Sequence, residues 1–309
     1  MTPQELMQLI QQAIRQKQTV LSLRGQALQS LPVEARYLTS LVELSLADNQ
    51  FSYVHPTVCE LKQLVKLDLS ENFLTVLPPE MSQLTQLREL YLNNNHLTEL
   101  PAELCYLTQL EVLDLSDNRL TDLPPTIGQL TRLTELDLHS NQLQALPSEI
   151  GQLYRLHKLD LYHNRLTQLP ASIGQLHRLT QLYVSENRLT SLPGEIGRLT
   201  NLVQLHLNEN NLTALPPEIG SLTSLTHLSL FKNKLKALPP EMGKLANLAG
   251  ELDISDNDLT HLPSQLGRCM LLNDLFVYNN PLVSPPHDIV SQGSRRILEY
   301  LRQLRDFGF

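Results

Sequence analysis

One phrase, L-x-L-x-x-N-x-L-x-x-L-P, recurs along almost the whole chain, and no other feature limits the possible folds so sharply. Its asparagines are Asn49, Asn72, Asn95, Asn118, Asn141, Asn164, Asn187, Asn210, Asn233, Asn257 and Asn280. They are spaced 23 residues apart except for one interval of 24 between Asn233 and Asn257. Stepping back 23 from Asn49 reaches Gln26, inside a degenerate copy from Leu21 to Leu28, so the chain holds twelve registers. A unit this short cannot bury its apolar face alone. Stacking against its neighbours makes the core continuous, and a chain of 309 residues then needs no single large core.

The period translates directly into structure. In Leu113-Asp114-Leu115 and Leu136-Asp137-Leu138 the leucines point inward and the middle residue points out, the alternation of a strand. Each unit therefore contributes one short strand, and successive strands stack in parallel. The Asn follows where the chain turns inward, and its side chain has both donors and an acceptor for backbone groups the turn leaves unpaired. The second half, Leu-Pro-x-x-Ile-Gly-x-Leu, suits a tight return with at most one turn of helix, because Pro fixes φ and Gly permits unusual φ. Aromatics are 5% of the chain and Trp is absent, so the interior is aliphatic and mostly Leu. The one extra residue falls near Ala249-Gly250. A β-bulge is the simplest account, with a local hinge as the alternative.

A stack of repeats exposes core at both ends. Thr2-Pro3-Gln4-Glu5 is a capping box with Pro at the first helical position, and Leu6, Ile10, Ala13 and Ile14 make one apolar helical face behind it. At the other end Ile289, Ile297, Leu298, Leu301 and Leu304 form a second amphipathic segment. Membrane or partner binding is the alternative for such helices. Their position at the ends of the stack favours capping. The expected organisation is a capping helix over 1–18, twelve repeats over 19–286 and a capping helix over 287–309.

This 23-residue unit with Leu-Pro-x-x-Ile-Gly resembles the cytosolic repeat class of Ras-binding leucine-rich-repeat scaffolds and of Roco proteins. The resemblance implies an α/β fold: a right-handed solenoid or horseshoe, with a curved parallel sheet on its concave face and an irregular, short-helical convex side. The segment Asn280-Pro281-Leu282-Val283-Ser284-Pro285-Pro286, followed by Gln292-Gly293-Ser294-Arg295-Arg296-Ile297-Leu298-Glu299-Tyr300-Leu301, is similar to the cap that precedes the GTPase domain in bacterial Roco-type proteins. That implies a regulatory and interaction module whose partner is a protein, a small GTPase or a GTPase domain among the candidates. The GTPase chemistry does not come with it. No GxxxxGK[ST] loop occurs, since Gly243-Lys244 is followed by Leu245 and Leu238 stands five positions before Gly243.

A partner would meet the outward strand positions. Tyr91, Asp114, Asp137, Asp160, Tyr183 and His206 occupy the central outward column, and His139, Tyr162 and Phe231 the next column toward the Asn, with His227 beside them. Aromatic side chains on an exposed polar face suit interaction hot spots, although Tyr and His also simply tolerate strands. Asp114, Asp137 and Asp160 fall on adjacent registers, and like charges opposed in a sheet destabilise it. An attracting role for a basic partner is one account, the repeat template is another, and a bound cation is a third. Lys158 and Arg119 are placed to neutralise the ladder locally. Arg132, Arg155 and Arg178 form a further ladder, read as a solvated edge.

Several function classes have no support. The net charge of −8 and the lack of any basic run argue against nucleic acid. Cys59, Cys105 and Cys269 include no CxxC, which gives neither a zinc site nor a disulfide framework. Cys59 and Cys105 sit two repeats apart, about 10 Å at ~4.8 Å per strand, too far for a bridge. Free thiols of this kind suggest the cytoplasm. The amino-terminal stretch lacks an apolar h-region, no stretch of 18 apolar residues exists for a membrane span, and Asn211-Leu212-Thr213 is then a coincidental sequon. No GxSxG or HExxH motif appears, so neither catalysis nor a cofactor or metal is expected. Three possibilities stay open: a binding scaffold, a regulatory segment of a larger signalling enzyme, and an idealised solenoid.

Overall fold

The computed structural model describes residues 1–306 and packs as two compact units, Met1–Leu143 and Gln144–Phe309. Residues 307–309 of the expected carboxy-terminal cap lie outside the described residues. Both units obey the repeat pattern.

In the first unit a helix, α1 (Pro3–Arg15), precedes six strands: β1 (Val20–Ser22), β2 (Glu43–Ser45), β3 (Lys66–Asp68), β4 (Glu89–Tyr91), β5 (Val112–Asp114) and β6 (Glu135–Asp137). They pair in sequence order, all parallel, with a register shift of one repeat at every step, as in Leu67 beside Leu90 and Leu90 beside Leu113. The central leucines and the leucine two residues on are buried. α1 starts as the sequence indicates: Thr2 N–H donates to Glu5 Oε2 (2.7 Å) and Glu5 N–H to Thr2 Oγ1 (3.2 Å). Leu6, Ile10 and Ala13 are buried, whereas Ile14 is only half-buried.

The second unit carries β7 (Lys158–Asp160), β8 (Gln181–Tyr183), β9 (Gln204–His206), β10 (His227–Ser229), β11 (Gly250–Asp253) and β12 (Leu272–Phe276), again parallel and in order. The extra residue coincides with an irregularity of the ladder: the register between β11 and β12 shifts at Gly250/Glu251, where Gly250 faces Leu272 and Glu251 faces Asp274, and Gly250 adopts φ +69° with open space where a Cβ would stand. The carboxy-terminal segment forms two helices rather than one, α3 (His287–Val290) and α4 (Ser294–Asp306), separated at Gly293 with φ +87°. α4 packs on the last return loop, where Arg302 Nε donates to Gly267 O (3.2 Å), and it buries Ile297, Leu298 and Leu301.

The return strokes are single 3₁₀ turns such as Ala102–Tyr106 and Ala171–Gln175, and one short α-helical turn, α2 (Pro56–Cys59). Proline at or just before the first position sets φ for these turns. A glycine recurs in many of them and has a packing role in the second unit: a Cβ on Gly174 would stand 2.5 Å from Glu195 O in the next repeat. The first unit has Cys59 and Cys105 at this position, both buried. All three cysteines are free, and burial pushes the Cys59 and Cys269 thiols up to about 11, which keeps them protonated.

The recurring asparagine holds one repeat to the one before it. Asn141 shares its Nδ2 hydrogens among Leu115 O (2.9 Å) in the preceding repeat, Leu138 O (3.1 Å) and His139 O (3.2 Å), and its Oδ1 accepts from Leu120 N–H (2.9 Å). Asn187, Asn210 and Asn233 repeat the pattern in the second unit. The degenerate first register follows from this: Gln26 has no preceding repeat to reach, and instead its N–H donates to Asn49 Oδ1 (3.1 Å). Immediately before each Asn the chain turns left-handed, from Asp48 (φ +55°) to Asn279 (φ +51°). Replacing Asn141 by Ala orphans a buried amide and two buried carbonyls, and a loss of about 1–3 kcal/mol is expected. Chemical denaturation checks this, and an unchanged midpoint would contradict it.

Candidate protein-binding face

The outward side chains follow a rule that the sequence alone did not disclose. Beyond each strand, the N–H two residues past the central outward position needs an acceptor. Where that position is Asp, its own carboxylate supplies one in an Asx-type turn. Asp68 Oδ1 accepts from Ser70 N–H (3.1 Å), Asp114 from Ser116 (3.0 Å), Asp137 from His139 (3.1 Å), Asp160 from Tyr162 (3.1 Å) and Asp253 from Ser255 (2.8 Å). The recurrence of Asp therefore has a structural cause.

In the first unit, Tyr91, Asp114 and Asp137 stand in register on β4, β5 and β6. Tyr91 is half-buried. Its hydroxyl donates to Glu89 Oε2 (3.0 Å), and Lys66 Nζ lies 4.9 Å from its ring and 2.8 Å from the same carboxylate. Burial first, then the bond to Glu89, raises the Tyr91 hydroxyl. Asp114 also accepts from Ser116 Oγ (2.7 Å); its carboxyl is held above the usual range by burial, opposed by the Ser116 bonds, with the neighbouring Asp137 adding a smaller push. His139 bridges two carboxylates, with Nδ1 2.7 Å from Asp137 and Nε2 3.2 Å from Asp117.

In the second unit the central column changes character. Asp160 on β7 is followed by Tyr183, His206 and Ser229 on β8, β9 and β10. Here the backbone acceptor comes from the neighbouring repeat instead: Asn208 N–H donates to Ser185 Oγ (3.1 Å), and Phe231 N–H to Asn208 Oδ1 (3.1 Å). The central position is thus released at His206 on β9 and at Ser229 on β10. Tyr183 and His206 pack with ring centroids 5.0 Å apart, the Tyr183 hydroxyl donates to Gln204 Oε1 (2.5 Å), and Lys158 Nζ lies 6.0 Å from the Tyr183 ring. Lys158 also lies 3.9 Å from Asp160, whereas Arg119 forms no ion pair among the described residues. Burial, then the charge of His227, lowers the His206 imidazole below its ordinary value, so it stays neutral at pH 7. His227 is exposed, with Nδ1 2.8 Å from Thr226 Oγ1.

The other aromatics stand apart from this cluster. Tyr162 is exposed and directed to the turn column, its hydroxyl donating to Glu186 Oε1 (2.6 Å), while Oε2 of the same carboxylate meets His163 Nδ1 (2.8 Å). Phe231 is half-buried, three registers from Tyr162 and with no ring contact among the described residues. Three further residues of this face carry no repeat signature of their own: Gln204, which anchors Tyr183, and Glu186 and Glu209, which sit in the left-handed column; Glu209 pairs with Lys232 (2.8 Å). The two glutamates are marked only by position, as the residue preceding each Asn.

Leucine-rich-repeat models match residues 39–97, 62–120 and 85–143, a model of a leucine-rich repeat region matches 135–210, and a further repeat model matches 201–222. The chain is a leucine-rich-repeat protein. It is similar to a leucine-rich-repeat protein of Leptospira interrogans, at 29% identity over 94% of this chain and 97% of that one, with a TM-score of 0.55. An internalin of Listeria monocytogenes shares the fold at 23% identity, over 97% and 92% of the two chains, with a TM-score of 0.71. The Arabidopsis receptor kinase HAESA, solved with a peptide hormone and a co-receptor, is 29% identical over 87% of this chain, with a TM-score of 0.66; the match spans 43% of that structure. No curated protein matches the sequence closely enough to serve as a relative. Repeats of this fold commonly mediate protein–protein interaction, and among the described residues no helix is long and apolar enough to cross a membrane.

The Asp114 geometry makes a testable prediction. Because the folded chain holds its carboxyl above the usual range, ionisation costs the folded state. The penalty is absent below the unfolded value of ~3.9 and sets in as pH rises through the folded value. Asp114→Asn keeps the Oδ1 acceptor for Ser116 and removes the charge, so at pH 7 it melts at or above the parent. Asp114→Ala loses the acceptor and melts several degrees below. Thermal melts at pH 7 of both variants check the sign; an Asn variant as unstable as the Ala variant would contradict it.

Proposed function

We propose that this leucine-rich-repeat protein is a non-catalytic binding module that takes a protein partner on the open sheet face of its second unit, centred on β8 and β9. The observation that carries this reading is the packed Tyr183–His206 pair at central positions where other repeats hold a structural Asp, with His206 freed because Ser185 Oγ takes the Asn208 N–H in its place. A side chain freed from a structural duty and replaced by a packed Tyr–His pair is the composition of an interaction hot spot. Tyr162, His227 and Phe231 extend the same surface, and Tyr91, Asp114, Asp137, His139 and Asp160 supply polar surroundings within their own units. Relatives of the fold solved with ligands include a receptor kinase bound to a peptide hormone, which supports a protein or peptide partner. Three free, buried cysteines fit a reducing compartment, and the cytoplasm is the location we propose.

A second reading has its own support. The sequence from Asn280 to Leu301 resembles the cap before the GTPase domain of Roco-type proteins, and it folds as α3 and the first part of α4. Under that reading the module regulates a GTPase, in the same polypeptide or as a partner, and still works by binding.

Affinity capture from lysate with the parent and with a Tyr162→Ala, Tyr183→Ala, Phe231→Ala variant tests the proposal, both proteins first shown to melt alike. A protein held by the parent and released at least about tenfold faster by the variant is expected for lost hot spots. Equal retention would move the site off this face. Identification of the captured protein as a GTPase would favour the second reading.

A further inference from the structure

The loops that leave the sheet in the first unit break the repeat pattern at outward positions. The residue after the Asn is Gln50, Phe73, His96, Arg119 and Gln142 in successive repeats, and three residues further on stand Tyr53, Val76, Glu99 and Asp122. Apart from Ala27 in the degenerate first register, polar side chains fill these positions elsewhere in the unit. Phe73, Val76 and Tyr53 instead leave 51%, 52% and 46% of their surface in solvent. The core does not require them, because Phe51, Val54, Leu74 and Leu77 of the same loops are already buried. Nor are they loosely held: Phe73 N–H donates to Phe51 O (2.9 Å), Phe51 N–H to Asn72 Oδ1 (3.0 Å), and the Phe73 and His96 rings lie 5.8 Å apart. A rigid, clustered apolar exposure that stability does not demand marks an interaction surface.

The charge around it selects the partner. Strands β2–β6 carry six carboxylates against the single amine of Lys66. The turn column that leads into these loops adds Asp48, Glu71 and Asp117, met by Arg24 at 2.6 Å from Glu71 and by His139 at 3.2 Å from Asp117. An acidic segment, a nucleic acid or an anionic membrane approaching Phe73 meets this excess of negative charge and is repelled. A cationic segment is drawn in.

We propose that Tyr53, Phe73 and Val76 form a second docking patch, separate from the face over β8 and β9, for a protein segment that carries Lys or Arg beside an aliphatic or aromatic anchor. The apolar side chains take the anchor, and the neighbouring carboxylates take the basic residues at the rim, where they speed association and set specificity.

The probe is a fluorescent amphipathic peptide of Lys and Leu with one Trp, titrated against the full chain by anisotropy. Two control peptides carry Glu for Lys, or Ser for Leu. The patch variant is Tyr53→Ser, Phe73→Gln, Val76→Ser, built from residues this chain already places at these positions; Phe73→Gln alone replaces it if the triple variant melts low. The parent is expected to bind the Lys–Leu probe at least about tenfold more tightly than the patch variant. Both control peptides bind weakly, and the Tyr162→Ala, Tyr183→Ala, Phe231→Ala variant binds as the parent does. Equal affinity in parent and patch variant overturns the proposal, as does equal binding of the Glu peptide. A parent that sediments as a dimer while the patch variant is monomeric also overturns it, because a second copy then covers the patch.

Discussion

A buried asparagine ties each repeat to the one before it, and the rest of the structure depends on that tie. Three-residue strands pair through too few ladder bonds to fix a register by themselves, and the turn that follows them leaves backbone groups facing inward. The Asn side chain meets both needs, because its Nδ2 spans carbonyls of two repeats while its Oδ1 takes an amide of the earlier one. The left-handed residue before each Asn allows the side chain to enter, and it does so with Asp, Glu, Asn, Ser, His or Lys at φ near +50° rather than with glycine. Backbone strain at that position is offset repeat by repeat by the bonds it makes possible.

Once the strands are fixed, the outward face carries a smaller constraint of the same kind: an N–H beyond the strand end that needs an acceptor. The chain answers it in two ways, with an Asp on the same strand or with a Ser or Asn from the repeat before. The first answer fills the central column with carboxylates. The second leaves the central position free on β9 and β10, and His206 uses that freedom to pack against Tyr183 of β8. Surface chemistry along the sheet is thus written by which answer each repeat uses, without any change in the core.

Much of the fold was legible in the sequence because a 23-residue period fixes every register at once. Strand positions, the inward leucines, the Asn, the capping box at Thr2 and the irregularity near Gly250 all follow from counting and from local propensity. The division of the carboxy-terminal cap at Gly293 was less legible, since the apolar spacing of Ile289, Ile297 and Leu301 runs across the break. The left-handed column escaped notice because its residues share a conformation but no side-chain type. The candidate site was legible as a set of outward aromatics. Which of them meet was not, because Tyr162 is held by Glu186 one register on, and Phe231 stands away from the Tyr183–His206 pair. The Asp column invited an electrostatic interpretation until its hydrogen bonds to Ser70, Ser116 and Ser255 were seen.

The exchange between the two answers is the most direct test of this account, and a thermodynamic cycle on Ser185 and His206 measures it. Ser185→Ala removes the acceptor of Asn208 N–H, and His206→Asp restores one in the manner of Asp253 before Ser255. The account predicts that Ser185→Ala costs about 1 kcal/mol or more in the parent and almost nothing in the His206→Asp background, a coupling well outside the additivity of independent sites. Strictly additive effects would mean that the two acceptors do not substitute for one another, and the argument that the central position of β9 was freed for binding would fail.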